Sequence, residues 1–235
     1  MNLKSFGCSF IFGSELNDAG LRPEDASKLT WPAHLANNQG YDYICYARPG
    51  SGNLQIAEKV LVQAATTETA LFVINWSWVD RFDYVGTVES TQIWMPDQPG
   101  IDWSTVMPTD QSDIADFYYR GLHSEIQDKL TTLINVRVVI DTLKQKNLPF
   151  IMTYMDDLMF DQRWNSSPAI ADLQEYIRPY MTTFEGLTFL EWSKKYQYPI
   201  SNLGHPLEDA HSAAGRYISA LEPDKYHYVD FTLLT

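Results

Sequence analysis

Basic residues are in short supply. The 235 residues hold 17 Lys and Arg against 30 Asp and Glu, a formal net charge of −13, and the few cations form no stripe. Nucleic-acid binding relies on clustered cations that release counterions from phosphates. A nucleic-acid partner or a phosphate-binding surface is therefore not expected, and the acidity serves solubility. Cysteine is scarce as well, with only Cys8 and Cys45. Two in so long a chain make no disulfide framework, and their spacing is not a zinc pattern. Both fall in expected buried strands as small hydrophobes, which fits a reducing compartment. No apolar run approaches the ~18 residues that span a membrane, and there is no repeat or low-complexity stretch. The run SFGCSFIFGSEL begins four residues after Met1, which is expected to leave no room for a leader with an apolar core and cleavage site. The expectation is a cytoplasmic protein.

What is present is a globular balance, 45% apolar and 20% charged, in a chain long enough for one large domain with a substantial core. Asn2–Phe6 reads as a short buried strand, with Gly7-Cys8-Ser9 turning out of it. Thr30-Trp31-Pro32 opens a helix that runs through Asn38 and stops at Gly40. Tyr41–Tyr46 is a strand, and from Asn53 a helix carries Ile56, Val60 and Ala64 on one face. Ala70–Asn75 is a continuous apolar run of the kind found in buried parallel strands. One long helix is expected over Ile114–Lys146, with an apolar face from Phe117 and Leu122 through Ile126, Leu130, Leu133, the Arg137 stem, Ile140 and Leu143. Phe150–Met155 is the next strand. Pro168–Phe184 reads as a helix broken near Pro179, Leu187–Leu190 as a last short strand, and Leu207–Ala220 as the final helix.

Strands that alternate with helices predict an α/β fold, a three-layer α/β/α sandwich around a central parallel sheet of flavodoxin-like type. In such sheets chemistry collects at the carboxyl ends of the strands. That selects the loops Gly7–Gly13, Arg48–Asn53, Trp76–Asp83 and Asp156–Phe160, with Ser201–Asp209 able to reach the same rim. Ser9 stands at the first strand end, where it is available as a nucleophile. The loop ARPGSGN at the second strand end exposes backbone N–H groups suited to an oxyanion. His205, in a Gly-His-Pro turn before the last helix, is placed to serve as a base.

The blocks GCSFIFGSEL, PGSGN and GHPLEDAH, in this order across the whole chain, resemble the SGNH (GDSL-type) hydrolases, and in form a GCSF-type bacterial or phage-like subgroup. The resemblance implies Ser9 as nucleophile and His205 as general base. It implies oxyanion donors from Gly50, with Gly52 second, and from the neighbourhood of Asn53 and Ser77. The arrangement differs from the G-x-S-x-G elbow of α/β-hydrolases.

Two positions depart from the family pattern. Asn75 lies too early, inside the third strand, so the position of the family's oxyanion Asn falls near Ser77 or Trp78. The family's D-x-x-H-P acid is Asn202 here, and an amide can orient an imidazole but cannot offset imidazolium charge. Either the site is a Ser-His dyad, or a carboxylate among Glu208, Asp209, Asp156 and Asp157 takes the place of the acid. A second arrangement makes His211 the base with Glu208 beside it. No metal or organic cofactor is implied.

The stretch Tyr84–Gln111 is long for a loop in a compact domain and holds Trp94 and Trp103. It is expected to form a lid or cap whose aromatic walls suit sugar rings or acyl chains. Arg81 offers a forked donor for a substrate carboxylate or hydroxyl, or else pairs with Asp80 or Asp83. The expected activity is serine esterase or acyl hydrolase chemistry on a small-molecule, glycan or lipid ester. An O-acyltransferase on the same scaffold and a degenerate binding module are the alternatives.

Overall fold

A computed structural model describes residues 1–85 and 103–221. The described residues form six strands: β1 (Asn2–Phe6), β2 (Asp42–Cys45), β3 (Ala70–Trp76), β4 (Phe82–Val85), β5 (Trp103–Val106) and β6 (Phe150–Tyr154). Eight α-helices accompany them among the described residues: α1 (Ser9–Phe12), α2 (Trp31–Gln39), α3 (Asn53–Thr66), α4 (Asp113–Gly121), α5 (Glu125–Gln145), α6 (Pro168–Ile177), α7 (Phe189–Lys195) and α8 (Glu208–Ser219). The main sheet is parallel, in the order β2-β1-β3-β6. Strands β4 and β5 pair separately as an antiparallel ribbon, with Asp83 opposite Thr105.

The alternation of side chains along each strand builds the two covering layers. Along β3, Phe72, Ile74 and Trp76 face a core completed by Ile56 and Val60 of α3, Leu133, Val136 and Ile140 of α5, and Ile170 of α6. Leu71 and Val73 face the other way, onto Trp31 and Leu35 of α2 and Ala214 and Ile218 of α8. The three-layer sandwich expected from the sequence is thus the fold of the chain. Among the described residues no helix is long and apolar enough to cross a membrane.

Three expectations are corrected. The stretch 114–146 is two helices, because Leu122 and His123 close the first and Ser124 caps the second through Gln127 N–H. The break shifts the buried face: Phe117 and Leu122 are exposed, whereas Leu133, Val136, Val139, Ile140 and Leu143 are fully buried. The short strand expected at Leu187–Leu190 is the start of α7. Thr188 and Glu191 form a capping box there, which satisfies two N–H groups that a strand would have offered to a neighbour. Cys8 lies just after β1 as the residue before α1 rather than within a strand, while Cys45 ends β2.

The strand order places the functional rim. β1 is flanked by β2 on one side and β3 on the other, so successive connections leave β1 in opposite directions. This is the switch point at which loops separate and open a crevice. Ser9 therefore lies between the loop after β2 and the loop after β3.

Candidate active site

Strand β1 ends at Phe6, and the chain turns through Gly7 into the single turn of α1, which Ser9 opens. A side chain at residue 7 would place its Cβ 2.7 Å from Ile11 Cγ1 and 3.1 Å from the Asn75 carbonyl oxygen. Only glycine lets the turn pack this tightly on the sheet. Gly13 closes α1 in the left-handed conformation, its N–H on the Ser9 carbonyl. Two residues on, Glu15 also adopts a left-handed backbone, with φ 71°. Non-glycine residues held there carry local strain and concentrate at functional sites.

His205 comes from the far end of the sequence. Residues 200–206 form a narrow turn: Ile200 bridges Pro206, Ser201 N–H donates to the His205 carbonyl at 2.8 Å, and Gly204 takes φ 88°. The turn aims the imidazole at the end of β1. His205 Nε2 lies 2.8 Å from Ser9 Oγ, and His205 Nδ1 lies 2.5 Å from Glu15 Oε2. The same carboxylate oxygen accepts the Ser201 hydroxyl at 2.6 Å, and Ser201 Oγ in turn accepts the His205 N–H at 3.0 Å. The Ser201 hydrogen bond, together with that of His205, holds the Glu15 carboxyl below its ordinary pKa against a smaller opposing effect of burial. An ionised carboxylate only accepts hydrogen bonds. The proton at this contact therefore sits on Nδ1, which leaves Nε2 as the acceptor for the Ser9 hydroxyl.

The structure brings Ser9 and His205 together and assigns the contact with His205 Nδ1 to Glu15. Asn202 does not make that contact: it is exposed near the tip of the 200–206 turn, beside Leu203, which is 76% exposed. None of the other proposed acids makes it either. Glu208 accepts the Asn17 N–H at 2.9 Å, and Asp156 accepts the N–H groups of Val79 and Leu158. Asp157 faces Glu191, and their mutual repulsion adds to burial in raising its pKa. Asp209 makes no hydrogen bond to His205. His211 is buried beneath α2, where its Nδ1 accepts the Trp31 N–H at 3.0 Å. Burial pushes its pKa down to about 3, and it makes no contact with Ser9. Glu15 belongs to the opening block SFGCSFIFGSEL. Its signal was an acid six residues after the serine, just past a glycine helix stop.

The loop after β2 lies beside this group. Arg48 N–H donates to the Gly7 carbonyl at 3.1 Å, which ties the loop to the turn that carries Ser9. Gly50 has φ 84°, and a Cβ there would meet no atom within 4 Å. Neither the Ser9 N–H nor the Gly50 N–H donates a hydrogen bond among the described residues. Asn53 and Ser77 are placed differently from the oxyanion role expected of them. The Asn53 amide turns into the interior, its Oδ1 accepting the Ser77 N–H at 2.7 Å and its Nδ2 donating to the Ser77 carbonyl at 3.2 Å. The pair braces the loop after β3 against α3 and engages the Asn53 amide and the Ser77 N–H, while the buried Ser77 hydroxyl has no partner among the described residues.

Aromatic rings continue from the imidazole. Phe10 packs on His205 with ring centroids 5.0 Å apart, and Trp78 packs on Phe10 at 5.6 Å. The Arg81 guanidinium lies 4.8 Å from the Trp78 ring centre and donates to the Ser51 carbonyl at 3.0 Å. It makes no ion pair with Asp80 or Asp83 among the described residues. Trp103 is buried in β5 at 8% exposure, and its carbonyl accepts Arg48 Nη1 at 2.6 Å. Trp94 and most of the expected lid fall at 86–102, outside the described residues.

No protein-family model matches the sequence, and no curated protein does. Solved structures do resemble it. TesA superposes with a TM-score of 0.51 at 13% identity, covering 93% of this chain and 97% of that one. The Bacillus subtilis protein YxiM gives a TM-score of 0.50 at 13% identity, covering 97% of this chain and 58% of that one. A member of the lipolytic protein G-D-S-L family from Veillonella parvula gives 0.49 at 12% identity, with 95% and 97% covered. The chain has the SGNH-hydrolase fold.

Proposed function

We propose that this protein is a serine esterase that cleaves a carboxylic ester through an acyl-enzyme. The observation that carries the reading is the continuous line Ser9 Oγ–His205 Nε2, His205 Nδ1–Glu15 Oε2, at the carboxyl end of the central strand. A nucleophile, a base and an aligning acid in hydrogen-bond contact are what acyl transfer requires.

In the proposed reaction Ser9 Oγ attacks the ester carbonyl carbon as its proton passes to His205 Nε2. The imidazolium so formed is held by the Glu15 carboxylate. The carbonyl oxygen, now negative, receives the N–H groups of Ser9 and Gly50; one such donor contributes roughly 10²–10³ in rate. Collapse breaks the bond to the alcohol oxygen, which takes the proton from His205 Nε2 and leaves. Water then repeats the sequence on the acyl-Ser9 ester: His205 removes its proton, and Ser9 leaves protonated. In this reading the partly exposed Trp78 and Arg81, backed by the buried Phe10, offer a flat ring face and a guanidinium to the substrate. The substrate is in this reading a small-molecule, glycan or lipid ester.

The test is paired. A fluorophosphonate probe should label Ser9 in the wild type and nothing in Ser9→Ala. The same variant should lose hydrolysis of short p-nitrophenyl esters by several orders of magnitude while its circular dichroism is unchanged. An unlabelled wild type would make the fold a binding module, and an active Ser9→Ala would move the nucleophile elsewhere.

A further inference from the structure

The loop that presents Gly50 is held from one side by the β4–β5 ribbon. Arg48 Nη1 donates to the Trp103 carbonyl at 2.6 Å, and Arg81 Nη1 donates to the Ser51 carbonyl at 3.0 Å. Between them stands Asp83. Its Oδ1 accepts the Gly52 N–H at 2.9 Å, its Oδ2 accepts the Gln55 N–H at 2.9 Å, and the Thr105 hydroxyl donates to Oδ1 at 2.6 Å from the paired strand. Asp83 is 7% exposed. Gly52, the N-cap residue just before α3, has no capping side chain of its own. A Cβ on Gly52 would lie 2.6 Å from the Asp83 carboxylate oxygens, so that glycine is the opening through which the carboxylate enters.

A buried carboxylate is costly unless fully hydrogen-bonded. Burial raises the pKa of Asp83, while the hydrogen bonds to Thr105, Gln55 and Gly52 work against that rise. The start of a 14-residue helix adds a favourable field for the anion. The same contacts sort the donors of this loop. Gly52 and Gln55 spend their N–H groups on Asp83, Ser51 N–H goes to the Arg48 carbonyl at 3.2 Å, and Arg48 N–H goes to Gly7. Gly50 N–H is left over, one position before the clamped stretch.

We propose that Asp83 is a positioning residue for the esterase reaction. By capping α3 from the ribbon it fixes the 48–53 loop, so that Gly50 N–H meets the developing oxyanion. This inference rests on the esterase reading. It places the control of one oxyanion donor on the ribbon, outside the loop that bears the donor.

The test is Asp83→Asn, nearly equal in shape. Its amide must turn an NH₂ group toward either Gln55 N–H or the Gly52 and Thr105 donors, so the clamp loosens without a cavity. Steady-state hydrolysis of p-nitrophenyl acetate should show kcat down about 10- to 100-fold, as expected for a misplaced oxyanion donor, with KM changed less than threefold. Affinity for a trifluoromethyl ketone, whose hemiketal places an oxyanion in the same position, should weaken in parallel. Thr105→Val removes one of the three contacts from the far side and should give a smaller fall of the same kind. It also carries the test if Asp83→Asn does not fold. A folded Asp83→Asn or Thr105→Val with lowered Tm but wild-type kcat and ketone affinity would make Asp83 a structural cap and overturn the inference. The wild type is assayed first, with Ser9 labelling: an inactive, unlabelled wild type overturns the esterase reading itself, whereas an active wild type with unaffected variants overturns only the role of Asp83.

Discussion

Glu15→Gln removes one charge from the proposed relay and changes little else. In the wild type the imidazolium would form beside a carboxylate whose oxygen is 2.5 Å from Nδ1. With charge centres about 4 Å apart, the attraction is about 4 kcal/mol at an effective dielectric of 20 and about 1 kcal/mol in water. The Glu15 side chain is 30% exposed and that of His205 14%, which places the pair between these limits, at about 2–3 kcal/mol. That corresponds to a loss of about 30- to 150-fold in kcat. A second cost acts through geometry. Glu15 Oε2 accepts both the Ser201 hydroxyl and His205 Nδ1, and an amide that rotates its NH₂ toward either donor would favour the wrong imidazole tautomer. KM should hardly move, because Glu15 contacts no substrate in the proposed arrangement. The assay is kcat and KM for a short p-nitrophenyl ester, with circular dichroism and Tm as controls on folding. A folded Glu15→Gln with wild-type kcat would refute the reasoning and leave Ser9 and His205 as a dyad.

Asn202→Asp, the change that would restore the family's usual acid, should leave kcat/KM within about threefold. Residue 202 sits exposed near the turn tip and Nδ1 is already occupied; a rise of tenfold or more would show that an acid there can reach the imidazole. His211 should make the fold sensitive to acid. Its pKa is about 3 in the folded chain against an ordinary 6.5, so the folded state resists a proton that the unfolded chain accepts. The contribution is fully present above pH 6.5 and is lost as pH falls from there toward 3, by up to about 1.4 kcal/mol per pH unit. Urea unfolding from pH 7.5 to 4 should show this slope in the wild type and a flatter one in His211→Asn, and equal slopes would remove His211 as the cause.

Much of the main sheet was legible because β3 and β6 are short continuous apolar runs and β1 and β2 lie next to turn residues. Asn2–Phe6 falls where it was expected, and Gly40 ends α2 in the left-handed conformation that its place after Gln39 implied. The split between α4 and α5 was not legible from periodicity, since apolar residues continue across Leu122 and the stop is made by a serine cap. The Thr188–Glu191 capping box was a visible helix start, masked by the β-rich look of LTFL. Ser9 and His205, which lie 2.8 Å apart, were picked out by their places at the sheet rim and by the order of their blocks along the chain. Glu15 was not, because its place depends on a positive φ and on a contact across 190 residues. Asn53 misled for the opposite reason: its position was right, but the direction of its amide is decided by the packing of Ser77 and Thr132.

Two of the three groups in the proposed relay travel together. Ser9 and Glu15 flank the single turn of α1, and only the imidazole comes from elsewhere, on a turn tied to Glu15 through Ser201. The machinery is thus divided along one seam. On one side is a short segment seated at the end of β1; on the other is a seven-residue finger, 200–206, whose imidazole packs on Phe10. Local opening of that finger would withdraw the base while leaving the hydroxyl and the carboxylate in register, so a closing motion alone would restore the relay.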